Sequence, residues 1–173
     1  FAGNDVASAV IVQADGKIVA GGTRDLASNV DFALARYAAD GAPDLAFGTS
    51  GRVTTDFSAT DDQLIGLLQQ PDGKLVAVGG DLFHFSLARY LSDGGLDPSF
   101  GFGGRVSTSC GYSCTAFAAV QQSDGYVVVA GSRGGPVAGN EDFLLVRYRF
   151  DGSLDSSFGT GGIVITDIAG GFD

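Results

Sequence analysis

Three arginines, each followed eight residues later by an aspartate, are the residues whose types and spacing most readily suggest chemistry. The pairs are Arg36 with Asp44, Arg89 with Asp97, and Arg147 with Asp155. An arginine cluster could bind an anionic ligand, since guanidinium groups match carboxylate and phosphate geometry. Alternation along an extended segment, however, places each arginine beside large apolar residues, where a charge must be paired. We therefore predict structural Arg–Asp pairs that hold a loop, because a ligand site is rarely copied in every repeat.

A second candidate site is one repeat position, shared by Asp31, His84 and Asp142, at the start of a predicted strand. These side chains could line a channel or ligand slot, as a metal-dependent hydrolase would require. His84 is the only histidine, which excludes a multi-histidine zinc site. A serine-hydrolase triad would also need a histidine, but no G-x-S-x-G segment accompanies it. We predict no catalytic residues, no metal site and no enzymatic activity.

Acidic loops are a third candidate. An Asp-Gly pair precedes the aspartate of each Arg–Asp pair, at 40–41, 93–94 and 151–152, which gives the pattern D-G-x-x-D. This pattern lacks the D-x-[DN]-x-[DN]-G segment and the distal glutamate of an EF-hand. The carboxylates either cap backbone N–H groups of turns or, as the weaker alternative, bind calcium. No other cofactor is expected.

The two cysteines, Cys110 and Cys114, lie in the segment "CGYSC". Their spacing fits neither a C-x-x-C redox motif nor a zinc site, which needs more ligands. Two interpretations stay open at this point. The cysteines form a local disulfide in an oxidising compartment, or they are two free thiols.

The Arg–Asp segments belong to an internal repeat that spans the whole chain. Residues 36–53, 89–106 and 147–164 share Arg, Tyr, Asp, Gly, Asp, Phe, Gly, Gly and Val at identical offsets. This agreement predicts a single repeat array over residues 1–173. Its units are repeat 1 at 1–56, repeat 2 at 57–109, repeat 3 at 110–167, and the start of a fourth at 168–173.

Each unit is predicted to contain four short strands. The first two are apolar runs joined by Asp-Gly, at 15–16, 72–73 and 124–125, which is a strong signal for a hairpin with a type I′ turn. The first strands mix small and large apolar residues, which suits strands covered on both faces. Since no helical period is present, we predict an all-β fold of three four-stranded antiparallel repeats, the blades of a β-propeller. A β-solenoid or an irregular β-array is the alternative.

Three blades are too few to close a propeller, which typically has about 4–8. An open array would leave two exposed edges that invite pairing with other chains. We therefore expect the array to be completed by further repeats or by head-to-tail self-association of two copies. A protein or glycan ligand is a further expected partner.

Composition excludes two kinds of partner. The chain of 173 residues carries 10 Lys and Arg against 20 Asp and Glu, for a net charge of −10. So few positive charges form no basic patch for nucleic acid or for an anionic membrane surface. No apolar run approaches the roughly 20 residues of a membrane-spanning helix.

The segments "QADGKIVAGG", "DFALARY" and "SLDSSFGTGG" resemble the delta-60 repeat, a bacterial repeat predicted to form β-propeller blades. The resemblance covers nearly the full chain in three copies. It departs at Tyr126, where the pattern has Lys, at His84, where it has Asp, and at "SCGYSC". The resemblance implies a propeller architecture and an extracellular, cell-surface or periplasmic location in a bacterium. It implies no enzymatic activity.

We predict that the chain is a non-catalytic scaffold or protein-interaction module. The strand-two to strand-three loops, 21–31, 79–84 and 131–142, differ between units, which makes them the best candidates for specific binding. A lectin-like propeller is the alternative, and the only regularly spaced aromatics for it are Tyr37, Tyr90 and Tyr148. A metal-dependent hydrolase is the third possibility. Phe47, Phe100 and Phe158 are expected to fill the space between neighbouring units.

Overall fold

Twelve strands and no helix make up the residues that the computed structural model describes, which are 4–25, 29–57, 61–135 and 141–168. The first sheet contains β1 (Asp5–Val12), β2 (Ile18–Asp25), β3 (Val30–Tyr37) and β4 (Arg52–Thr55). The second contains β5 (Gln63–Gln69), β6 (Leu75–Gly80), β7 (His84–Tyr90) and β8 (Arg105–Ser109). The third contains β9 (Cys114–Gln121), β10 (Val127–Gly134), β11 (Glu141–Tyr148) and β12 (Ile163–Thr166).

Each sheet is an antiparallel meander whose strands pair in sequence order. The predicted all-β class with three four-stranded antiparallel repeats is therefore confirmed. The four strands of each sheet lie within one predicted unit. Apart from Ile168, the predicted start of a fourth unit lies outside the described residues.

The first hairpin of every unit closes with the same turn. In the first unit Gly16 N donates to Gln13 O at 2.9 Å, and Gln13 N donates to Lys17 O at 2.8 Å. Only the glycine has a positive φ, of 84°, so the turn is a type I turn followed by a left-handed residue. The hairpin prediction was correct, but the predicted type I′ geometry was wrong. A two-residue type I′ loop needs two residues with positive φ, whereas the three-residue loop in the structure needs only one, which is the glycine.

The three sheets stack face against face, with their first strands along one inner edge, where β1 contacts β5 and β5 contacts β9. Among the described residues, only the central sheet is covered on both faces. Val76 and Val78 of β6 are buried against the third sheet, and Leu75 and Ala77 against the first. By contrast, Val10 of β1 is 65% exposed.

In β5, the first strand of the central unit, Leu64 and Leu67 are buried against the first sheet, and Ile65 and Leu68 pack against the third. The predicted burial of first strands on both faces is therefore found in the central unit, whose sheet has a neighbour on each side.

Candidate functional site

Every predicted Arg–Asp pair is in contact. The arginine Nε donates to the aspartate Oδ2 at 2.8 Å for Arg36–Asp44, 2.9 Å for Arg89–Asp97 and 2.8 Å for Arg147–Asp155. The other aspartate oxygen caps the loop, as Ser99 N donates to Asp97 Oδ1 at 3.0 Å. The pair therefore holds the loop between the third and fourth strands of its unit.

Hydrogen bonds and positive charge keep these aspartates ionised. Burial alone would raise the pKa of Asp97, but hydrogen bonds from Lys74 and Ser99 and the charge of Arg89 hold that pKa well below its usual range. The hydroxyl of Ser157 is the main cause that lowers the pKa of Asp155 to about 2. Because each carboxylate neutralises its arginine, this arrangement favours a structural pair over an anion-binding site.

The same arginines also join one unit to the next. Arg36 Nη1 donates to Ser92 O of the second unit at 2.6 Å, and Arg89 Nη1 donates to Phe150 O of the third. Asp93, the residue after Ser92, makes a second contact between the two units. Its backbone carbonyl accepts a hydrogen bond from Gly48 N of the first unit at 2.7 Å. We call this set of contacts between adjacent sheets the joint.

An aromatic ring supports each guanidinium. Arg36 lies 4.4 Å from the centroid of Phe47, and Arg89 lies 4.7 Å from that of Phe100. Both rings are fully buried, and a methyl group at Gly94 would approach Phe47 Cε2 to 3.0 Å. These phenylalanines therefore fill the space between neighbouring units. Phe158, in the third unit, is only half-buried.

The repeated tyrosines are packed in the joint. Tyr90 and Tyr148 are fully buried, whereas Tyr37 of the first unit is half-buried. The hydroxyl groups of Tyr90 and Thr55 are 2.7 Å apart across the first joint, and burial raises the pKa of Tyr90. A repeated platform for sugars would need these rings at the surface, so the arrangement disfavours a lectin-like site in each unit.

The predicted slot of Asp31, His84 and Asp142 is not assembled. The three residues lie at the starts of β3, β7 and β11, which are two strands away from the inner edge of their sheets. Each of the first two has a local partner: His84 Nδ1 lies 3.0 Å from Asp81 Oδ1, and Asn29 Nδ2 donates to Asp31 Oδ1 at 2.8 Å. The three residues lie in three different sheets, and they form no group with metal-holding geometry among the residues that the structure describes.

The rim that carries the loops between second and third strands also holds a buried acid that sequence reasoning missed. Asp62 is 1% exposed and accepts a bond from Phe57 N at 3.2 Å, while its own N–H donates to Val30 O at 2.7 Å. Burial, reinforced by the charges of Asp81, Asp56 and Asp31, raises its pKa to about 6. The "DD" dipeptide at 61–62 was the only sequence signal, and it does not indicate which carboxylate is buried.

At pH 8, Asp62→Asn is expected to stabilise the fold. The pKa is about 6 in the fold and 3.8 in the unfolded chain, so the fold binds the proton more tightly. Protonation therefore stabilises the fold as pH falls through 6, and ionisation weakens it above 6. We expect a gain on the order of 1 kcal/mol after solvent screening, or roughly 2–4 °C in Tm, that disappears at pH 4.

Thermal unfolding followed by circular dichroism at pH 8 and pH 4 measures this difference. Asp61→Asn is the matched control, because the adjacent Asp61 is exposed and an asparagine keeps its acceptor for Val30 N. The control should change Tm at neither pH. An Asp62→Asn variant that melts at or below the native temperature at pH 8 would contradict the assignment.

A disulfide joins Cys110 and Cys114 on the same rim. Cys110 N donates to Phe83 O at 3.0 Å, and Cys114 N donates to Leu82 O at 2.8 Å. The disulfide-bridged loop is thereby hydrogen-bonded to the 81–83 loop between β6 and β7. Of the two interpretations of the cysteines, the structure has the disulfide.

Reducing this disulfide is expected to lower the free energy of unfolding by about 2 kcal/mol, the loop-entropy value for a five-residue ring. Urea unfolding with and without dithiothreitol measures the change. A variant with both Cys110→Ser and Cys114→Ser should match the reduced protein and ignore the reductant. Equal stability of the oxidised and reduced forms would rule out this contribution.

The D-G-x-x-D carboxylates lie at turns. Asp40 Oδ1 accepts from Ala42 N at 3.0 Å, and Asp93 Oδ1 accepts from Gly95 N at 2.9 Å. Among the described residues, no group of three or more His, Cys, Asp or Glu has the geometry to hold a metal ion.

Within the part of the chain that the structure describes, no helix is long and apolar enough to cross a membrane.

Three stacked four-stranded meanders with first strands along one inner edge define the blades of a β-propeller. A family model described as "Domain of unknown function (DUF5122) beta-propeller" matches residues 13–47, 70–100 and 122–158, more than half of the chain. The chain therefore belongs to the DUF5122 β-propeller family. Each match runs from the Asp-Gly hairpin to the loop that holds the Arg–Asp pair. No curated protein sequence matches the chain significantly.

Proposed function

We propose that this β-propeller chain is a non-catalytic module that binds a protein partner at the rim of its variable loops. One observation carries the proposal: two large apolar side chains are exposed on a firmly held loop. Leu82 is 67% exposed and Phe83 is 55% exposed. Adjacent exposed apolar residues are typical of interaction surfaces when they are not scattered singly.

The surroundings of this loop support a binding role. The backbone carbonyls of Leu82 and Phe83 accept the two cysteine N–H bonds, and Asp81 Oδ1 accepts from Phe83 N at 2.7 Å. Tyr112, in the disulfide loop on the same rim, is also exposed. A loop held in this way loses little conformational entropy on binding, which favours affinity. The equivalent loops of the other units differ in sequence, so this surface belongs to one unit and not to the repeat.

Site-specific photocrosslinking in the native host tests the proposal. A photoreactive residue at Phe83 should give a defined protein adduct that excess unlabelled chain competes away. The matched control is the same residue at Phe102, which is 89% exposed in a loop on the opposite rim. The same adduct at both positions, or none at Phe83, would overturn the proposal.

We also propose that the module acts outside the cytoplasm of a bacterium, without a cofactor, and that its units are delta-60 repeats. The disulfide supports an oxidising compartment, and the engagement of the turn carboxylates with backbone N–H groups supports independence from calcium. The delta-60 segments "QADGKIVAGG" and "DFALARY" fall within the first matched range. Recovery of the protein in the culture medium, its loss on protease treatment of intact cells, or its release by osmotic shock is the expected result for the location. An unchanged Tm with added calcium is the expected result for the cofactor.

A further inference from the structure

We propose that the two open faces of the array are the two halves of one missing joint, and that a second copy of this chain docks there head to tail. The first sheet presents the face that, in the other units, receives the preceding sheet. The third sheet presents the face that packs on the following sheet. The inference goes beyond the proposed rim function, which needs one copy only.

The third-strand phenylalanines show the missing half most clearly. Phe32 and Phe85 are 0% exposed, and each ring packs on a glycine of the following sheet. A methyl group would lie 2.8 Å from Phe32 Cζ at Gly79 and 2.7 Å from Phe85 Cζ at Gly131. The equivalent Phe143 of the third sheet is 51% exposed. Among the described residues, no following sheet places a glycine against the Phe143 ring, as Gly79 and Gly131 do for the other two rings.

That receiving face is present and open on the first sheet. Gly22 is the equivalent of Gly79 and Gly131, and it lines a groove together with Ala20, Ala35 and Tyr37. Small side chains at these positions leave room for a neighbouring ring. The groove therefore suits Phe143 of a second copy.

The polar contacts of the joint are also half-present at both ends. Arg147 matches Arg36 and Arg89 in its aspartate pair, but its side chain is 22% exposed against 6% and 2%. Ser92 O and Phe150 O accept the hydrogen bonds from Arg36 and Arg89, and their equivalent in the first unit is Ala39 O. In the proposed joint, Arg147 of one copy would donate to Ala39 O of the other. Tyr37, the equivalent of Tyr90, would meet Thr166, the equivalent of Thr55.

Gly41 supplies the discriminating variant. Its equivalents Gly94 and Gly152 are buried against Phe47 and Phe100, whereas Gly41 is exposed and a methyl group there would meet nothing within 4 Å. Gly41→Asn therefore leaves the isolated chain intact, since asparagine tolerates the φ of 87°. In the joint, the new side chain would collide with Phe158 of the other copy.

The matched control is Gly73→Asn. Gly73 also belongs to an Asp-Gly turn and has a φ of 85°, and a methyl group there would likewise meet nothing within 4 Å. It lies in the central unit, both of whose faces are already covered. The backbone strain is the same in the two variants, and only one of them blocks the proposed joint.

Sedimentation velocity over a concentration series tests the proposal. The native chain and Gly73→Asn should form species larger than the 17.6 kDa monomer, whether closed rings or open filaments. Gly41→Asn should weaken this association at least tenfold with an unchanged circular dichroism spectrum. A native chain that stays monomeric at all concentrations, or equal association of both variants, would overturn the proposal.

A cysteine pair gives an independent readout. Tyr37→Cys with Thr166→Cys should be joined between two copies by a bismaleimide about as long as a tyrosine side chain, because the equivalent Tyr90 ring spans the gap to Thr55 and the two Cα atoms are too far apart for a direct disulfide. Tyr37→Cys combined with Ser107→Cys is the control, because Ser107 is an exposed residue of β8, away from both open faces. Crosslinking that is no greater for the proposed pair than for the control would overturn the head-to-tail geometry.

Discussion

Arg89→Ala is expected to destabilise the fold by about 3–5 kcal/mol, the range for a buried charge pair that loses one partner. Arg89 is fully buried, and its removal leaves the ionised carboxylate of Asp97 with the partly exposed Lys74 as its remaining cationic partner. The same substitution also removes the bond to Phe150 O in the next unit and the contact with the Phe100 ring. Urea unfolding at pH 7 should therefore show a much lower midpoint.

Arg147→Ala is the matched control, because Arg147 forms the same aspartate pair at the open end of the array. Its side chain is partly exposed, so we expect a loss of about 1 kcal/mol. Arg89→Lys should recover less than half of the lost free energy of unfolding. A lysine ammonium group cannot bind several partners at once as the planar guanidinium group does. Similar losses for Arg89→Ala and Arg147→Ala would show that the joint adds nothing to the pair.

Gly79→Ala is expected to destabilise the fold by more than about 4 kcal/mol or to prevent folding. The new methyl group would lie 1.9 Å from Gln63 O and 2.8 Å from Phe32 Cζ. Gln63 O is a backbone atom of the adjacent strand, so it cannot move aside by a side-chain rotation. It lies next to the register shift between Leu64 and Gly66. The second obstacle is the Phe32 ring, which crosses the joint, so the strand has no direction in which to relax.

Gly66→Ala controls for the loss of a strand glycine as such. A methyl group at Gly66 would meet only Ala119 Cβ at 3.6 Å, an ordinary contact. Gly66→Ala should stabilise the fold by no more than about 1 kcal/mol, because a glycine in a strand loses more conformational entropy on folding than an alanine. Urea midpoints of the two variants make the comparison. A Gly79→Ala protein with native stability would contradict the close approach.

Local patterns carried most of what could be predicted about the fold. Hairpins appear wherever Asp-Gly separates two apolar runs, because the turn and both strands are encoded within about twenty contiguous residues. The type of turn was missed, since the glycine signal is shared by I′ turns and by three-residue loops. The Arg–Asp pairs could be predicted because only eight residues separate their members and the same pairing recurs in every unit.

Contacts between units could not be predicted in the same way. Arg36 meets a carbonyl 56 residues away, and Arg89 meets one 61 residues away. Nothing in the local sequence indicates which backbone oxygen a guanidinium nitrogen will reach. The burial of Asp62 and the separation of Asp31, His84 and Asp142 depend in the same manner on how whole sheets stack.

The amino-acid sequence by itself thus determined the repeat, the four strands of each unit, and the role of "RY…DG…D…FG" as a loop scaffold. Only the tertiary structure decided that the same arginine and phenylalanine also join the units, and that Phe143 of the third sheet stays half-exposed where its equivalents are buried. The physical reason is that strand and turn preferences act between neighbours along the chain. Joints depend on side chains from two sheets whose relative placement results from burying both apolar faces together.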